Sequence, residues 1–222
     1  MQNIGELSKY VKEAISNWES ISLSLSGFKY LNSGTAINLS NSEIEQLVHA
    51  AETSVYCYLG VVEETLKFYF LSDLEDKEEK YTNIVESQFE SDNLGQFSDY
   101  TFGISENSEL TLQEAGSRVI NWNFEGSIWF NEQIKNQNPM VRVFTIPKAD
   151  LENALESNKA PIKLCFGLRN NTSGETNSKY MLELIVGFAR PISATEVGSL
   201  FLSNLTHPHP PFSISQGSFT LL

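Results

Sequence analysis

The chain has 222 residues, 41% of them hydrophobic and 19% charged, a composition typical of a folded domain rather than a disordered segment. Its formal net charge is −13, and between Glu63 and Glu114 fourteen acidic residues are opposed by three lysines. An acidic surface repels nucleic acid and anionic membranes, so we expect neither of them as a partner.

The first predicted elements are two helices with a strand between them. An apolar stripe at helical spacing predicts an amphipathic helix within residues 1–20. Residues 21–26 alternate apolar side chains with serine, which predicts a half-buried strand. A capping residue at Asn41 or Ser42 then predicts a short helix through about Ala51. The stripe of the first helix consists of Ile4, Leu7, Val11, Ala14, Ile15 and Trp18.

The next part of the chain is dominated by a predicted hairpin. Residues 55–62 and 66–72 are rich in aromatic and β-branched side chains, and the short connection between them predicts an antiparallel pair. The acidic segment 73–92 has a weak pattern, and we expect loop with some helix there. A further strand is expected within residues 96–105.

The second half of the chain predicts a long helix followed by strands. A capping box at Thr111 and Glu114 begins a helix over residues 112–136, with a potential break at Gly126. These patterns together predict an α+β fold, an antiparallel sheet with helices packed mainly on one face, as one domain over residues 1–222. The remaining elements are a strand over 141–146, a short helix over 149–156, two long strands over 162–169 and 180–188, and a proline-rich tail over 206–222.

Four short motifs are distributed through the chain. They are EAGSRVINW at residues 114–122, VFTIPKADL at 143–151, CFGL at 165–168 and a late PPF at 210–212. Together they resemble a family of small uncharacterised bacterial proteins with no assigned activity, over roughly residues 50–212. The resemblance implies one continuous domain and supplies no catalytic residue.

The cysteines and the N-terminal residues bear on the cellular compartment. The first residues lack the basic and apolar regions of a secretory signal, and no run is long and apolar enough for a membrane span. Cys57 and Cys165 each lie within an apolar, strand-like run, which predicts buried thiols rather than a disulfide or a nucleophile. We therefore expect a cytoplasmic protein.

Two of the three histidines, His207 and His209, alternate with prolines near the end of the chain. A residue before proline is held extended, and extended residues two apart point the same way, so this pair could share a divalent ion. A zinc site needs at least a third protein ligand, and the remaining histidine, His49, lies in a predicted helix elsewhere. The spacing therefore favours an extended tail anchored by Phe212, and we expect no metal and no other cofactor.

Aromatic side chains are the main candidates for a binding site. Trp122, Trp129, Tyr56 and Tyr58 are expected either to pack in the core or to line an apolar ligand pocket. The chain contains no nucleophile elbow, no phosphate-binding glycine loop and no H-E-x-x-H motif. None of these three catalytic motifs therefore accompanies the aromatic residues.

Two functional hypotheses follow. The leading one is a non-enzymatic domain that binds a protein or a small apolar ligand. The alternative is a metal-dependent hydrolase that uses His207 and His209 together with an acidic residue from segment 73–92. Neither hypothesis defines an oligomeric state.

Overall fold

The structure is a computed structural model. It describes residues 4–90, 100–101, 112–157, 162–171, 178–188, 190–191, 202–203, 207–209 and 219–222. Within these ranges the helices are α1 (Ile4–Ser22), α2 (Phe28–Leu31), α3 (Asn41–Ala50), α4 (Asp73–Lys77), α5 (Leu112–Lys135) and α6 (Lys148–Ser157). The strands are β1 (Ala36–Leu39), β2 (Ser54–Val62), β3 (Thr65–Ser72), β4 (Val85–Glu90), β5 (Tyr100–Thr101), β6 (Val143–Pro147), β7 (Ile162–Asn170), β8 (Tyr180–Phe188), β9 (Arg190–Pro191), β10 (Leu202–Ser203) and β11 (His207–His209). None of the described helices is both long and apolar enough to cross a bilayer.

Nine strands form one antiparallel sheet in the order β10-β8-β7-β1-β4-β3-β2-β6-β11. Strands β5 and β9 pair separately as a small two-stranded sheet. The large sheet is strongly curved, since the edge strand β11 also contacts β8 near the opposite edge. The predicted α+β class with an antiparallel sheet is confirmed.

The main hydrophobic core lies on the concave face of this sheet. Phe144 of β6 and Phe166 of β7 have ring centroids 6.0 Å apart, although their strands are distant in the sheet order. Side chains alternate between the two faces of a strand, so Leu59 of β2 enters this core while its neighbour Tyr58 joins a second cluster on the outer face. Burial on both faces explains why β2 is apolar at nearly every position.

Helix α1 packs mainly against the outer face. A Cβ atom at Gly60 of β2 would lie 2.8 Å from Cβ of Ala14 and 2.8 Å from Cε2 of Tyr69, so only glycine permits this close approach. At the end of the helix Trp18 reaches the main core, and its Nε1–H donates to the carbonyl of Val141 at 2.8 Å. Helices therefore contribute to both clusters, since α5 supplies side chains to the main core.

The predicted strand over residues 21–26 is wrong. Helix α1 continues to Ser22, and a turn of 3-10 helix follows at Leu25–Gly27. Leu23 and Leu25 are 61% and 67% exposed, because no partner strand covers them in the described part of the chain. Alternation of leucine with serine therefore does not produce a strand at this position.

Helix boundaries differ from the predictions at two points. The N-cap of α3 is Ser40 rather than Asn41 or Ser42, and its hydroxyl forms a capping box with Glu43. Helix α5 continues through Gly126, where the predicted break does not occur. A Cβ atom there would lie 3.0 Å from the ring of Trp122, so this glycine makes room for the indole.

Four of the described strands, β1, β4, β9 and β10, were not predicted from sequence. Strand β1 is short, and β4 lies in the acidic segment 73–92, whose helix α4 agrees with the expectation. Of the strand expected within residues 96–105, only β5 falls within the described residues. The hairpin β2–β3 and the pair β7–β8 agree with the predictions.

Asp73 joins the start of α4 to the start of β2. Its carboxylate accepts hydrogen bonds from the backbone N–H groups of Glu52, Thr53 and Ser54 at 2.8, 2.9 and 3.1 Å, and from the Thr53 hydroxyl at 2.6 Å. Burial alone raises the pKa of Asp73, but these hydrogen bonds outweigh burial and hold the pKa below its ordinary value. The ionised carboxylate therefore stabilises the folded state.

We expect Asp73→Ala to lower the free energy of unfolding by about 1–2 kcal/mol near neutral pH, because several N–H donors lose their acceptor. A lowered pKa gives stability above the ordinary carboxyl range that is lost as the pH falls through the folded-state value. The difference between wild type and variant should therefore shrink from about pH 6 to about pH 2 in urea unfolding. A difference that is constant with pH would contradict this role.

Candidate ligand-binding cavity

A cavity lies where the short strand β1 leaves part of β7 uncovered. Strand β1 begins at Ala36, and residues 166–170 of β7 extend beyond it. Helix α5 lies along this edge, and Nδ2 of Asn121 donates to the carbonyl of Leu168 at 3.3 Å. Residues 32–35 face the first turns of α5, and a cavity of about 430 Å³ separates the two.

The floor of the cavity is aromatic. The rings of Trp122 and Phe166 are both buried, with centroids 5.3 Å apart at an interplanar angle of 68°. The ring of Phe28 packs against that of Trp122, at a centroid distance of 5.9 Å. Ala115 and Val119 of α5 extend this apolar lining. The floor is therefore held by core packing before any ligand binds.

A glycine lies on each wall of the cavity. Gly116 lies inside α5, where glycine costs about 1 kcal/mol relative to alanine. A Cβ atom added to Gly116 would meet no heavy atom of the described residues within 4 Å, so the space in front of the helix is open. On the facing wall, a Cβ atom at Gly34 would collide with Phe89, so glycine is needed for this segment to lie against β4.

Uncharged polar groups form the rim. Asn32, Ser33 and Asn123 are exposed at the mouth of the cavity, and Thr35 is half-buried beside them. The Ser33 hydroxyl donates to the carbonyl of Tyr30 at 2.8 Å, which fixes its position. Among the described residues that line the cavity, none carries a charge. Amides and hydroxyls both donate and accept hydrogen bonds, so the rim suits a neutral polar group.

A buried ion pair lies on the other side of α5. Nη1 of Arg118 donates to both carboxylate oxygens of Glu183, at 3.1 and 3.0 Å, and the Glu183 side chain is 1% exposed. Nε of Arg169 lies 3.9 Å from the same carboxylate. Burial raises the pKa of Glu183, and the two guanidinium groups partly offset that rise. The pair fixes the orientation of α5 over β7 and β8 and does not enter the cavity.

Only one of the four predicted aromatic candidates lines the cavity. Trp122 lines the cavity, whereas the indole N–H of Trp129 donates to the carbonyl of Tyr180 at 3.1 Å within the core. Tyr56 and Tyr58 lie in the outer-face cluster, with ring centroids 4.9 and 6.3 Å from that of Phe219. These three side chains therefore have structural contacts away from the cavity.

The histidine pair lies on an edge strand. His207–His209 is extended, as the prolines predict, and pairs antiparallel with Val143–Thr145 of β6. The two imidazole side chains and Phe212 lie outside the described residues. Within the part of the chain that is described, no three His, Cys, Asp or Glu side chains are grouped as metal ligands would be. The metal-site hypothesis therefore stays a prediction.

Three further titratable side chains are buried, those of Cys57, Cys165 and Asp76. Burial raises the pKa of Cys57 well above its ordinary value, and burial together with Glu183 raises the pKa of Cys165 to about 12, so both thiols stay protonated at neutral pH. Asp76 is fully buried and accepts from the N–H and the hydroxyl of Thr220, at 3.1 and 2.8 Å. These contacts hold residues 219–222 against α4.

One feature of the sequence, a glycine within a helix, indicates the cavity, although the helical periodicity does not reveal it. Gly116 interrupts an otherwise good helical pattern, and a glycine at such a position indicates close approach or open space. Phe166 and residues 32–35 come close to Gly116 only because of the register in which β1 pairs with β7. Comparison of the chain with protein-family models, curated proteins and solved structures gave no significant match.

Proposed function

We propose that this protein is a non-enzymatic binding domain for a small, uncharged and largely apolar ligand. The observation that carries the proposal is the cavity of about 430 Å³ between α5 and residues 32–35. Its volume falls within the range of roughly 300–1,000 Å³ that small-molecule sites occupy. An apolar floor with a few polar groups at the mouth is the usual composition of such sites.

The charges of the protein select against ionised ligands. A carboxylate or sulfonate would meet no cationic side chain among the described lining residues, and it would approach a chain of net charge −13. An ammonium group would find no carboxylate on the same lining and would lose its hydration on entry. A neutral ligand avoids both costs, and its polar end is able to bond with Asn32 or Asn123.

The test uses the uncharged probe phenylnaphthylamine, whose fluorescence rises in apolar surroundings. We expect saturable binding to wild type, and a loss of affinity of at least about tenfold in Gly116→Leu, because the new side chain occupies the cavity. The variant should fold normally, since leucine favours a helix over glycine and the added Cβ meets open space. The anionic analogue anilinonaphthalene sulfonate should bind wild type at least about tenfold more weakly.

Ser117→Leu is the matched control. It adds the same side chain one position further along α5, at an exposed residue that does not line the cavity. We expect it to bind the probe as wild type does, at protein concentrations of about 1 µM. Equal probe affinity in Gly116→Leu and wild type, with both proteins folded by circular dichroism, would contradict the proposal.

A further inference from the structure

The aromatic floor of the cavity favours one shape of ligand. The rings of Trp122 and Phe166 meet at an interplanar angle of 68°, with centroids 5.3 Å apart, so they form a corner. A flat ring that stacks parallel to one of them lies at 68° to the other, which is an edge-to-face contact. Offset stacking and edge-to-face contact are the two arrangements that aromatic rings prefer, and this corner offers both to the same ligand ring.

The walls beside the floor carry short side chains. Ala115 and Gly116 face the cavity from α5, and Ser33 and Gly34 face it from the opposite segment. A Cβ atom at Gly116 would meet no described heavy atom within 4 Å, so the space between the walls is open there. Walls of this kind allow the flat face of a ring to enter without displacing a side chain.

Apolar area alone does not distinguish a ring from a hydrocarbon chain. Val119 and Ile120 contribute aliphatic surface to the lining, and either ligand would bury it. A flexible chain loses rotational freedom on binding, whereas a rigid ring has little to lose. The floor is held by contacts such as that of Phe166 with Phe89, at a centroid distance of 5.5 Å, so it does not close around a thin chain.

We infer that the ligand is a flat, uncharged aromatic compound of two or three rings with a hydrogen-bonding group at its outer end. The inference rests on the proposed function and specifies the chemical class of the ligand. A cavity of about 430 Å³ holds roughly 14 groups the size of a water molecule, which is the size of such a compound. Its polar group lies at the mouth, where the amides of Asn32 and Asn123 donate and accept hydrogen bonds.

Three neutral alcohols of ten carbon atoms test the inference, namely 2-naphthol, decahydro-2-naphthol and 1-decanol. Burial of apolar area alone ranks 1-decanol first, because it has the largest surface. The aromatic corner reverses this order, since each aromatic pair raises the affinity by a factor of roughly two to ten. In isothermal titration calorimetry with wild type, we expect 2-naphthol to bind at least about fivefold more tightly than either saturated alcohol.

Phe166→Leu removes one ring of the corner and keeps the floor apolar. We expect 2-naphthol to bind this variant at least about threefold more weakly than wild type, while the affinity for 1-decanol changes by less than about twofold. Phe144→Leu is the matched control, because the Phe144 ring lies 6.0 Å from that of Phe166 in the same core and does not line the cavity. It should bind 2-naphthol as wild type does, with both variants folded by circular dichroism.

The ranking of the alcohols decides this inference separately from the proposed function. A saturated alcohol that binds as tightly as 2-naphthol, or equal weakening of 2-naphthol and 1-decanol by Phe166→Leu, would overturn the aromatic class. Saturable binding of phenylnaphthylamine that is lost in Gly116→Leu would still support the cavity as a binding site. Absence of binding by the probe and by all three alcohols would contradict both.

Discussion

Arg118→Met is expected to lower the free energy of unfolding by about 2–4 kcal/mol at about pH 8, one of the largest effects of a single substitution outside the aromatic core. Methionine replaces the aliphatic stem of the side chain but removes the cation that lies 3.0 Å from the Glu183 carboxylate. Glu183 is then left buried with only Arg169, at 3.9 Å, as a nearby cation among the described residues. Removing one partner of a buried pair costs more than the pair itself contributes.

The pH dependence of this variant identifies the cause. The pKa of Glu183 is already raised by burial, and loss of Arg118 should raise it further. A raised carboxyl pKa means that the folded state binds the proton more tightly than the unfolded state, so stability falls as the pH rises through the folded-state value. The loss in Arg118→Met should therefore be smaller at about pH 5 than at about pH 8, in urea unfolding at both.

Two further variants control this prediction. Arg118→Met combined with Glu183→Gln should recover much of the lost stability, because a neutral amide needs no cation. Arg142→Met removes a pair with the same 3.0 Å distance, but its partner Glu19 is 52% exposed, so we expect a loss below about 1 kcal/mol. If the double variant is no more stable than Arg118→Met, the role of Arg118 is packing alone.

Trp122→Ala is expected to lower the free energy of unfolding by about 3–5 kcal/mol and to abolish binding of phenylnaphthylamine. The indole is 6% exposed, and it contacts Phe28, Trp129 and Phe166 at centroid distances of 5.9, 6.2 and 5.3 Å. Removing it deletes the cavity floor and leaves a void that rigid neighbours cannot fill. Thermal or urea unfolding measures the first effect and probe titration the second.

Trp122→Phe separates the two effects. Phenylalanine keeps an aromatic floor of smaller size, so most of the stability and part of the probe affinity should remain. Loss of binding in Trp122→Ala alone does not distinguish a missing cavity floor from unfolding, so the conservative variant is measured in parallel. Full probe affinity in a folded Trp122→Ala would contradict the placement of the ligand on this side chain.

Local sequence patterns correctly predicted the hairpin and the two longest helices. The hairpin β2–β3 follows from two adjacent aromatic runs, and α1 and α5 follow from apolar stripes at helical spacing. Residues 21–26 show the limit of this approach, since their alternation matches a strand but no neighbouring strand is available to bury Leu23 and Leu25. Periodicity predicts which face of an element is apolar. It does not show whether another element is present to cover that face.

The cavity depends on contacts between distant parts of the chain. Trp122 was a candidate from its type and spacing, but Phe166 and residues 32–35 reach it only because β1 pairs with both β4 and β7. Strand β1 has four residues, too few for a periodic signal. The Arg118–Glu183 pair joins residues 65 positions apart, and no local pattern indicates such a contact.

NMR of the complex shows where in the protein the ligand is bound. With isotope-labelled protein and unlabelled phenylnaphthylamine, intermolecular nuclear Overhauser effects should connect the probe to the Val119 methyl groups and the Trp122 indole, which line the cavity. The same contacts should be lost in Gly116→Leu. Contacts only to Leu23 and Leu25, or to the outer-face residues Tyr56 and Tyr58, would show that the cavity beside α5 is not the binding site.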